Sequence, residues 1–195
     1  MHGGWIWIAV PVVVLAVLAI RIYFSRTRRT LLRLRIDLDK TWAGIDALLK
    51  QRHDELPKLV ETCKQYMKYE QETLEKVMHA RAAVFSAREK GDIGALGPAE
   101  TQLRQGLGNL FAVAESYPDL KTNENFQHLQ SRISGLENAI ADRREFYNES
   151  VNLNNIRIEQ FPDVLIARFF KFMPKELLEF GEEETKDVEM TELFS

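Results

Sequence analysis

The chain has 195 residues, of which 45% are apolar, so it is long enough for one domain of ordinary size with a core and appendages. Its charge is unevenly distributed along the sequence. Six Arg and no acidic residue lie from Arg21 to Arg35, and from Glu176 onward there are eight acidic residues and one Lys. The intervening residues are near neutral, which argues against nucleic acid as the main partner, and the basic block indicates a neighbouring membrane.

The first predicted element is a transmembrane anchor over residues 1–24. The run from Trp5 to Ile20 is apolar without a break, and the residues up to Phe24 extend it to the length of a membrane span. Trp5 and Trp7 suit the membrane interface. A cleaved signal peptide would carry its positive charge before the apolar run, whereas here the Arg cluster follows it. The positive-inside rule then predicts a single-pass protein of the bacterial inner membrane, with its N-terminus outside and the rest in the cytoplasm.

The predicted fold class is all-α, with the transmembrane helix followed by a long antiparallel bundle of the four-helix type over residues 25–162. No segment after the anchor shows sustained strand alternation, and apolar residues recur at steps of three and four. The predicted helices cover about 26–52, 54–90, 99–117 and 123–161. We expect Asp54 and Pro57 to begin the second helix, and Gly91, Gly94, Gly97 and Pro98 to form the loop before the third.

An asparagine-rich stretch ends the fourth helix, and antiparallel packing predicts that this end lies near the membrane surface. Asn154 interrupts an apolar stripe formed by Tyr147, Val151, Ile158 and Phe161. A buried Asn needs a partner, so we expect Asn154 to bond across the bundle, with Tyr147 or with a polar residue of the first two helices. On the neighbouring face, Asn152 and Glu159 are interpreted as solvated. The predicted partner-binding or assembly residues are Tyr147, Asn148, Asn154 and Asn155.

Residues 163–180 combine Phe side chains with basic residues. Two interpretations remain open: the segment caps the open end of the bundle core, or it contacts the membrane interface, where aromatic rings and basic groups are favoured. The predicted membrane-contact residues are Trp5, Trp7, Arg21, Arg26, Arg28, Arg29, Arg168, Phe169, Phe170, Lys171 and Phe172. The acidic tail, residues 181–195, is predicted to be disordered, either as a docking peptide or as a solvated end.

The sequence predicts no catalytic, cofactor or metal site. The four His residues do not share the spacing of a metal motif, and they are His2, His53, His79 and His128. His53 beside Asp54 could be an acid–base pair, but a His interacting with the carbonyls of a helix C-terminus is the simpler interpretation. Cys63 is interpreted as a small buried hydrophobic residue, and the glycine-rich GDIGALGP lacks the Lys of a phosphate loop.

Three stretches in order resemble the LemA family of bacterial membrane-anchored helical proteins: residues 40–61 (KTWAGIDALLKQRHDELPKLVE), 112–126 (AVAESYPDLKTNENF) and 147–162 (YNESVNLNNIRIEQFP). The resemblance implies an antiparallel helical bundle without a general enzymatic activity. It also implies that some relatives take part in membrane remodelling or work near membrane proteases. This chain departs from the family pattern at Asn154, where an aromatic residue is missing, and at Arg168 and Lys171, where the family has glycines.

These observations predict a non-enzymatic, membrane-anchored adaptor or membrane-organising scaffold that needs no cofactor. The expected partners are the phospholipid membrane and an unidentified protein, either a second copy of the chain or a membrane protein complex. Two alternatives are a membrane-associated enzyme such as a hydrolase, for which no constellation of base, nucleophile or metal is evident, and a helical signal-relay protein.

Overall fold

The structure is a computed structural model that describes the backbone of residues 4–180 and the side chains of residues 10–180. Every regular element in this range is a helix, which confirms the predicted all-α class. The predicted acidic tail and the side chains of Trp5 and Trp7 lie outside the described residues. The helices are α1 (Gly4–Tyr66), α2 (Gln71–Lys90), α3 (Ile93–Ala114), α4 (Pro118–Lys121), α5 (Glu124–Glu159) and α6 (Asp163–Phe169).

The chain forms two compact units, to each of which both α1 and α5 contribute. Among the described residues, the first unit, here called the N-terminal unit, contains residues 4–40 together with Glu149–Lys175. The second, here called the central unit, contains Thr41–Asn148 together with residues 176–180.

The predicted break between a first helix ending near Arg52 and a second beginning at Asp54 is absent, and α1 continues through Pro57 to Tyr66. A proline inside a helix removes the hydrogen bond to the carbonyl four residues earlier, which here belongs to His53. Arg81 of α2 supplies the missing donor, because its Nε lies 2.9 Å from the His53 carbonyl oxygen. A tertiary contact therefore compensates for Pro57, and the first turn falls instead between Tyr66 and Gln71.

The turn between α2 and α3 is shorter than predicted. Gly91 closes α2 with a left-handed φ of 64°, which glycine adopts without a steric penalty. Asp92 then caps α3, since its Oδ1 accepts a hydrogen bond from the Ala95 N–H at 2.9 Å. Gly94, Gly97 and Pro98, predicted as loop residues, belong to α3 instead. Among the described residues, Gly91 is the only glycine with a positive φ.

Apolar stripes on the helices form the cores, as the spacing predicts. In the N-terminal unit, Ile166 and Ala167 of α6 are buried in one cluster with Leu31 and Ile158. In the central unit the buried apolar side chains come from α1 to α5, from the turn after α1 and from the segment after α6. The largest fully buried ones are Ile45, Leu49, Leu56, Leu59, Met67, Leu96, Leu103, Leu110, Leu120 and Ile133.

The start of α1 has the character of a membrane span. By length and composition, the helix from Val10 onward contains a stretch that is long and apolar enough to cross a membrane. The side chains from Val10 to Arg26 are all exposed. Residues 10–20 are apolar without interruption, and an exposed surface of this kind is what lipid covers in membrane proteins, which is consistent with a membrane anchor.

Candidate functional site

In the N-terminal unit, α6 is fixed to α1 by a buried carboxylate. Asp163, only 3% exposed, accepts hydrogen bonds from the hydroxyls of Tyr23 and Thr27, the latter at 3.2 Å. Its second oxygen lies 2.5 Å from Nε of Arg157. A buried carboxylate without such partners would be costly, so this set of contacts fixes the start of α6 beside Tyr23.

Aromatic contacts continue the same interface towards the end of α6. The ring of Phe24 lies 6.1 Å from that of Phe169 and 5.6 Å from that of Phe170, measured between ring centroids. The guanidinium of Arg28 lies 4.8 Å from the centroid of Phe170, in cation–π geometry. The segment after α5 therefore lies beside the first part of α1 within this unit, and its predicted position near a membrane surface stays a prediction.

The outer surface of this segment is apolar. Leu165 and Phe169, one turn apart on α6, are 61% and 73% exposed. Phe161, predicted to belong to the buried stripe, is 77% exposed. It lies outside because α5 ends at Glu159, before the residue that would have continued the stripe. We call Phe161, Leu165 and Phe169 the apolar face.

The two interpretations of residues 163–180 describe opposite sides of α6. Its inner side, with Ile166 and Ala167, covers the core of the unit as a cap would. Of the predicted membrane-contact residues that the structure describes, Phe170 and Phe172 are half-buried against this core. The others are exposed: Arg21, Arg26, Arg28, Arg29, Arg168, Phe169 and Lys171. Their contact with lipid stays a prediction.

In the central unit, an extended segment is bound to α5 by side chains that the sequence singled out. The segment, Glu176–Phe180, has no regular secondary structure and is called the strap. The Tyr147 hydroxyl donates to the Glu176 carbonyl at 3.1 Å. Asn148 bonds both main-chain groups of Leu178, donating to its carbonyl at 3.1 Å and accepting from its N–H at 2.9 Å. The Asn148 side-chain amide thus pairs with the strap as a peptide group of a β-strand would.

Two side chains of the strap enter the unit. Leu178 is 1% exposed and Phe180 is 8% exposed. The guanidinium of Arg144 lies 4.1 Å from the centroid of the Phe180 ring. The strap main chain also approaches α3 so closely that a Cβ on Gly97 would lie 1.9 Å from the Glu179 carbonyl oxygen. Gly97 is therefore a contact residue of the strap and not a loop residue.

In the N-terminal unit, Asn155 makes a second amide pair of the same kind. It donates to the Lys175 carbonyl and accepts from the Lys175 N–H, both at 2.9 Å. Asn154 is buried, as predicted, but its amide donates to Oδ1 of Asn155 at 3.2 Å. The Tyr147 hydroxyl, which we considered as a partner for Asn154, donates to the strap within the central unit. Binding of a separate partner by these residues stays a prediction.

His53 and Cys63, the residues with reactive side chains considered above, both lie among packed side chains. His53 lies inside α1, not at a helix C-terminus, and its ring stacks on Phe85 at 4.6 Å between centroids. Burial lowers the pKa of His53, and the nearby Arg81 guanidinium lowers it further. Cys63 is buried, as predicted, and burial raises the pKa of its thiol to about 12. Within residues 10–180, His, Cys, Asp and Glu side chains form no group of three that could hold a metal.

A buried charge cluster in the central unit was not predicted. Arg52 is 1% exposed and contacts Glu100, which is fully buried, and Glu137, at 2.6 Å. The sequence contained the signal: Arg52 stands three residues after Leu49 and four before Leu56, and so lies on the apolar stripe. A charged residue in such a position indicates a buried partner, although spacing alone does not identify which acid supplies it.

Comparison with known proteins agrees with this architecture. Over 75 residues, 37% of this chain, it is 37% identical to Magnetosome protein MamQ 2 of Paramagnetospirillum magneticum, a match that covers 28% of that protein. Magnetosome protein MamQ of Magnetospirillum gryphiswaldense is 32% identical over 56 residues, which are 29% of this chain and 21% of that protein. Protein LemA of Metamycoplasma hominis is 26% identical over 174 residues, which are 88% of this chain and 77% of that protein. The model of the LemA family matches residues 41–191, more than half of the sequence, and the chain therefore belongs to the LemA family.

Proposed function

We propose that this protein is a non-enzymatic binding and scaffold protein that is anchored in the bacterial inner membrane and contacts anionic lipid through α6. The observation that carries the proposal is the apolar face, held beside the anchor helix by the buried Asp163. Large exposed apolar side chains next to a membrane span have their most favourable environment in the lipid interface.

Charge supports the same assignment. Arg168 and Lys171 are exposed at the end of α6, and Arg26, Arg28 and Arg29 are exposed on the adjoining part of α1. Each basic residue near an anionic surface contributes about 1 kcal/mol of attraction. Basic side chains beside exposed aromatic and aliphatic ones fit the headgroup layer better than water or a dry protein interface.

A binding role is also supported by how the polar groups are used. His53 contacts Arg81 and Phe85, Cys63 is buried, and Arg52 pairs with Glu100. Each of these groups serves packing or ion pairing. None of the relatives bears the name of an enzyme, and the protein named LemA aligns over most of this chain.

Spin labels test the lipid contact directly. The full chain is reconstituted into vesicles containing phosphatidylglycerol, with a label at Phe169 or, as a matched control, at the half-buried Phe172 of the same segment. We expect the label at Phe169 to be accessible to oxygen, which concentrates in lipid, and protected from a water-soluble relaxation agent. The label at Phe172 should be protected from both. Full accessibility of Phe169 to the aqueous agent would refute lipid contact.

Asp163→Asn tests whether the carboxylate positions the apolar face. The substitution removes the charge that pairs with Arg157, and it leaves one acceptor oxygen for the hydroxyls of Tyr23 and Thr27 and the guanidinium of Arg157. We expect the Phe169 label to become more mobile and more exposed to water in this variant. An unchanged label would show that apolar packing alone holds α6.

The protein partner is sought by photo-crosslinking in cells. A photoreactive residue at Phe169 samples the apolar face, and one at the exposed Phe146 samples a different exposed aromatic position. A discrete adduct to another protein from Phe169 would identify an adaptor and its target. Adducts to lipid alone would favour a membrane-organising scaffold and exclude an adaptor role for this face.

A second candidate, signal relay, is favoured by one observation. The helix break predicted at Asp54 is absent, so α1 is a single helix from Gly4 to Tyr66. A continuous helix could transmit a change at the anchor to the bundle. Relay requires two packings of α1, which double electron–electron resonance between labelled sites on α1 and α2 would detect as two distances.

A further inference from the structure

The strap is recognised through its main chain. Asn148 pairs with the N–H and carbonyl of Leu178, and the Tyr147 hydroxyl bonds the Glu176 carbonyl. Extended segments that dock in this manner gain affinity from main-chain bonds and specificity from a few side-chain pockets. Here the pockets take Leu178 and Phe180, both buried.

The receiving surface, which we call the strap groove, is shaped for this segment. Its floor at Gly97 has no room for a Cβ, because such an atom would lie 1.9 Å from the Glu179 carbonyl oxygen. At its end, Arg144 covers the Phe180 ring. The groove thus matches a five-residue sequence that every copy of this chain carries.

The path that leads into the strap begins at an unfavourable backbone conformation. Lys171, two residues after the end of α6, has φ of 56° and is the only described residue other than glycine with a positive φ. The bonds around it are those of a glycine-type helix end, with Lys171 N–H to the Arg168 carbonyl at 3.2 Å and Phe172 N–H to the Ala167 carbonyl at 2.9 Å. A side chain in this conformation costs free energy relative to glycine. Extension of the chain at Lys171 would release that strain.

We infer that the strap groove also accepts the strap of a second copy of this chain, so that neighbouring copies are joined by exchanged straps. Exchange preserves every contact of the strap, because the incoming segment is identical. If the chain extends at Lys171, the strain there is relieved and the Asn155–Lys175 pair is exchanged together with the strap. Anchoring in one membrane raises the local concentration of copies and favours the exchange. The inference rests on the strap contacts; of the proposed function it uses only the membrane anchor, and it does not depend on whether α6 touches lipid.

The test uses two copies of the full chain expressed together, so that exchange during folding is not missed. The donor copy carries a small diazirine side chain at the half-buried Leu177 and one affinity tag, and the acceptor copy carries a different tag. After irradiation, a covalent product with both tags is digested and the crosslinked peptides are identified by mass spectrometry. We expect the acceptor peptide to contain Gly97 or Asn148.

Two acceptor variants distinguish exchange from mere proximity. Gly97→Leu fills the floor of the groove and should lower the yield of the two-tag product at least tenfold. Gly108→Leu on the same helix has nothing within 4 Å of the added Cβ and should leave the yield unchanged. Circular dichroism confirms that both acceptors fold. In the donor, Lys171→Gly relaxes the strained residue and should lower the exchanged fraction about fivefold.

Each outcome decides the inference. A two-tag product that maps to the groove and disappears with Gly97→Leu supports exchange. Adducts confined to the donor's own chain would show that the strap stays in place and would overturn it. A product with another protein, or one between copies that maps outside the groove, would overturn it as well.

Discussion

One methyl group added at Gly97 tests how tightly the strap packs against α3. In Gly97→Ala the new Cβ would lie 1.9 Å from the carbonyl oxygen of Glu179 and 3.1 Å from its carbonyl carbon. Real Cβ atoms essentially never approach another heavy atom closer than 3.0 Å, and both atoms in the way belong to the strap main chain. A flexible side chain cannot relieve this clash, so the strap itself must move outward.

The size of the effect follows from what the strap loses. Two hydrogen bonds to Asn148 are worth about 1 kcal/mol each, and full burial of Leu178 or Phe180 is worth about 1.5–3 kcal/mol. A released strap recovers about 1 kcal/mol or more of conformational entropy per residue, which offsets much of this loss. We therefore expect Gly97→Ala to lower the free energy of unfolding by about 2 kcal/mol, net of the gain in helix propensity that alanine brings at this position of α3.

Gly108→Ala is the matched control. Its Cβ meets nothing within 4 Å, and alanine is the better helix former by about 1 kcal/mol, so this variant should be slightly more stable than the parent. The measurement is urea unfolding of the full chain in nanodiscs, followed by circular dichroism, with limited proteolysis to detect release of the strap. Equal stability of the two variants, with no new cleavage near the C-terminus, would refute the reasoning.

Three further predictions concern the central unit. Arg81→Ala should lower the free energy of unfolding by about 1–2 kcal/mol. The loss should be smaller in a Pro57→Ala background, where residue 57 regains the N–H that the helix lacks. Equal losses in the two backgrounds of this double-mutant cycle would contradict the account of the continuous α1. Arg52→Met should lower the free energy of unfolding by about 3–5 kcal/mol at pH 7, because it leaves a buried carboxylate without its partner. An added Glu100→Met should recover most of this loss. Because burial raises the pKa of Glu100, that penalty should shrink as the pH falls towards 4.5, which urea titrations at several pH values would show. The pKa of Cys63, raised to about 12, should keep the thiol unreactive towards maleimide at pH 8 until the bundle unfolds, and rapid labelling of the native protein would exclude its burial.

The helical class and most of the buried stripes could be read from the sequence because they depend on local periodicity. Leu31, Leu38, Ile45 and Leu49 recur at helical steps, and all four are buried. The start of α5 was also predictable, since Asn123 caps it by accepting from the Phe126 N–H at 3.0 Å. Each of these features is decided by a few residues close together in the chain.

The site was only partly predictable. The side chains of Tyr147, Asn148 and Asn155 stood out in the sequence, but their observed hydrogen bonds go to main-chain groups of residues 175–178. Every residue has the same main-chain groups, so the sequence does not show which segment is bound. The side chain that binds it can be picked out from the sequence, but the bound segment cannot. Phe161 was misplaced because α5 ends at Glu159, and composition specifies helix ends poorly.

The sequence by itself determined the all-α class, the apolar span with its basic flank, and the faces that the helices bury, because hydrophobic period and charge distribution act over single helices. The tertiary structure alone decided that α1 passes through Pro57, that Gly97 admits the strap, and that Asp163 fixes α6 to α1. Each of these depends on a group distant in sequence. Arg81 donates to the His53 carbonyl, the Glu179 main chain lies against Gly97, and the Tyr23 hydroxyl donates to Asp163. Local propensity sets where a helix is favourable, and such distant partners determine where it continues, what it binds and which surface it leaves exposed.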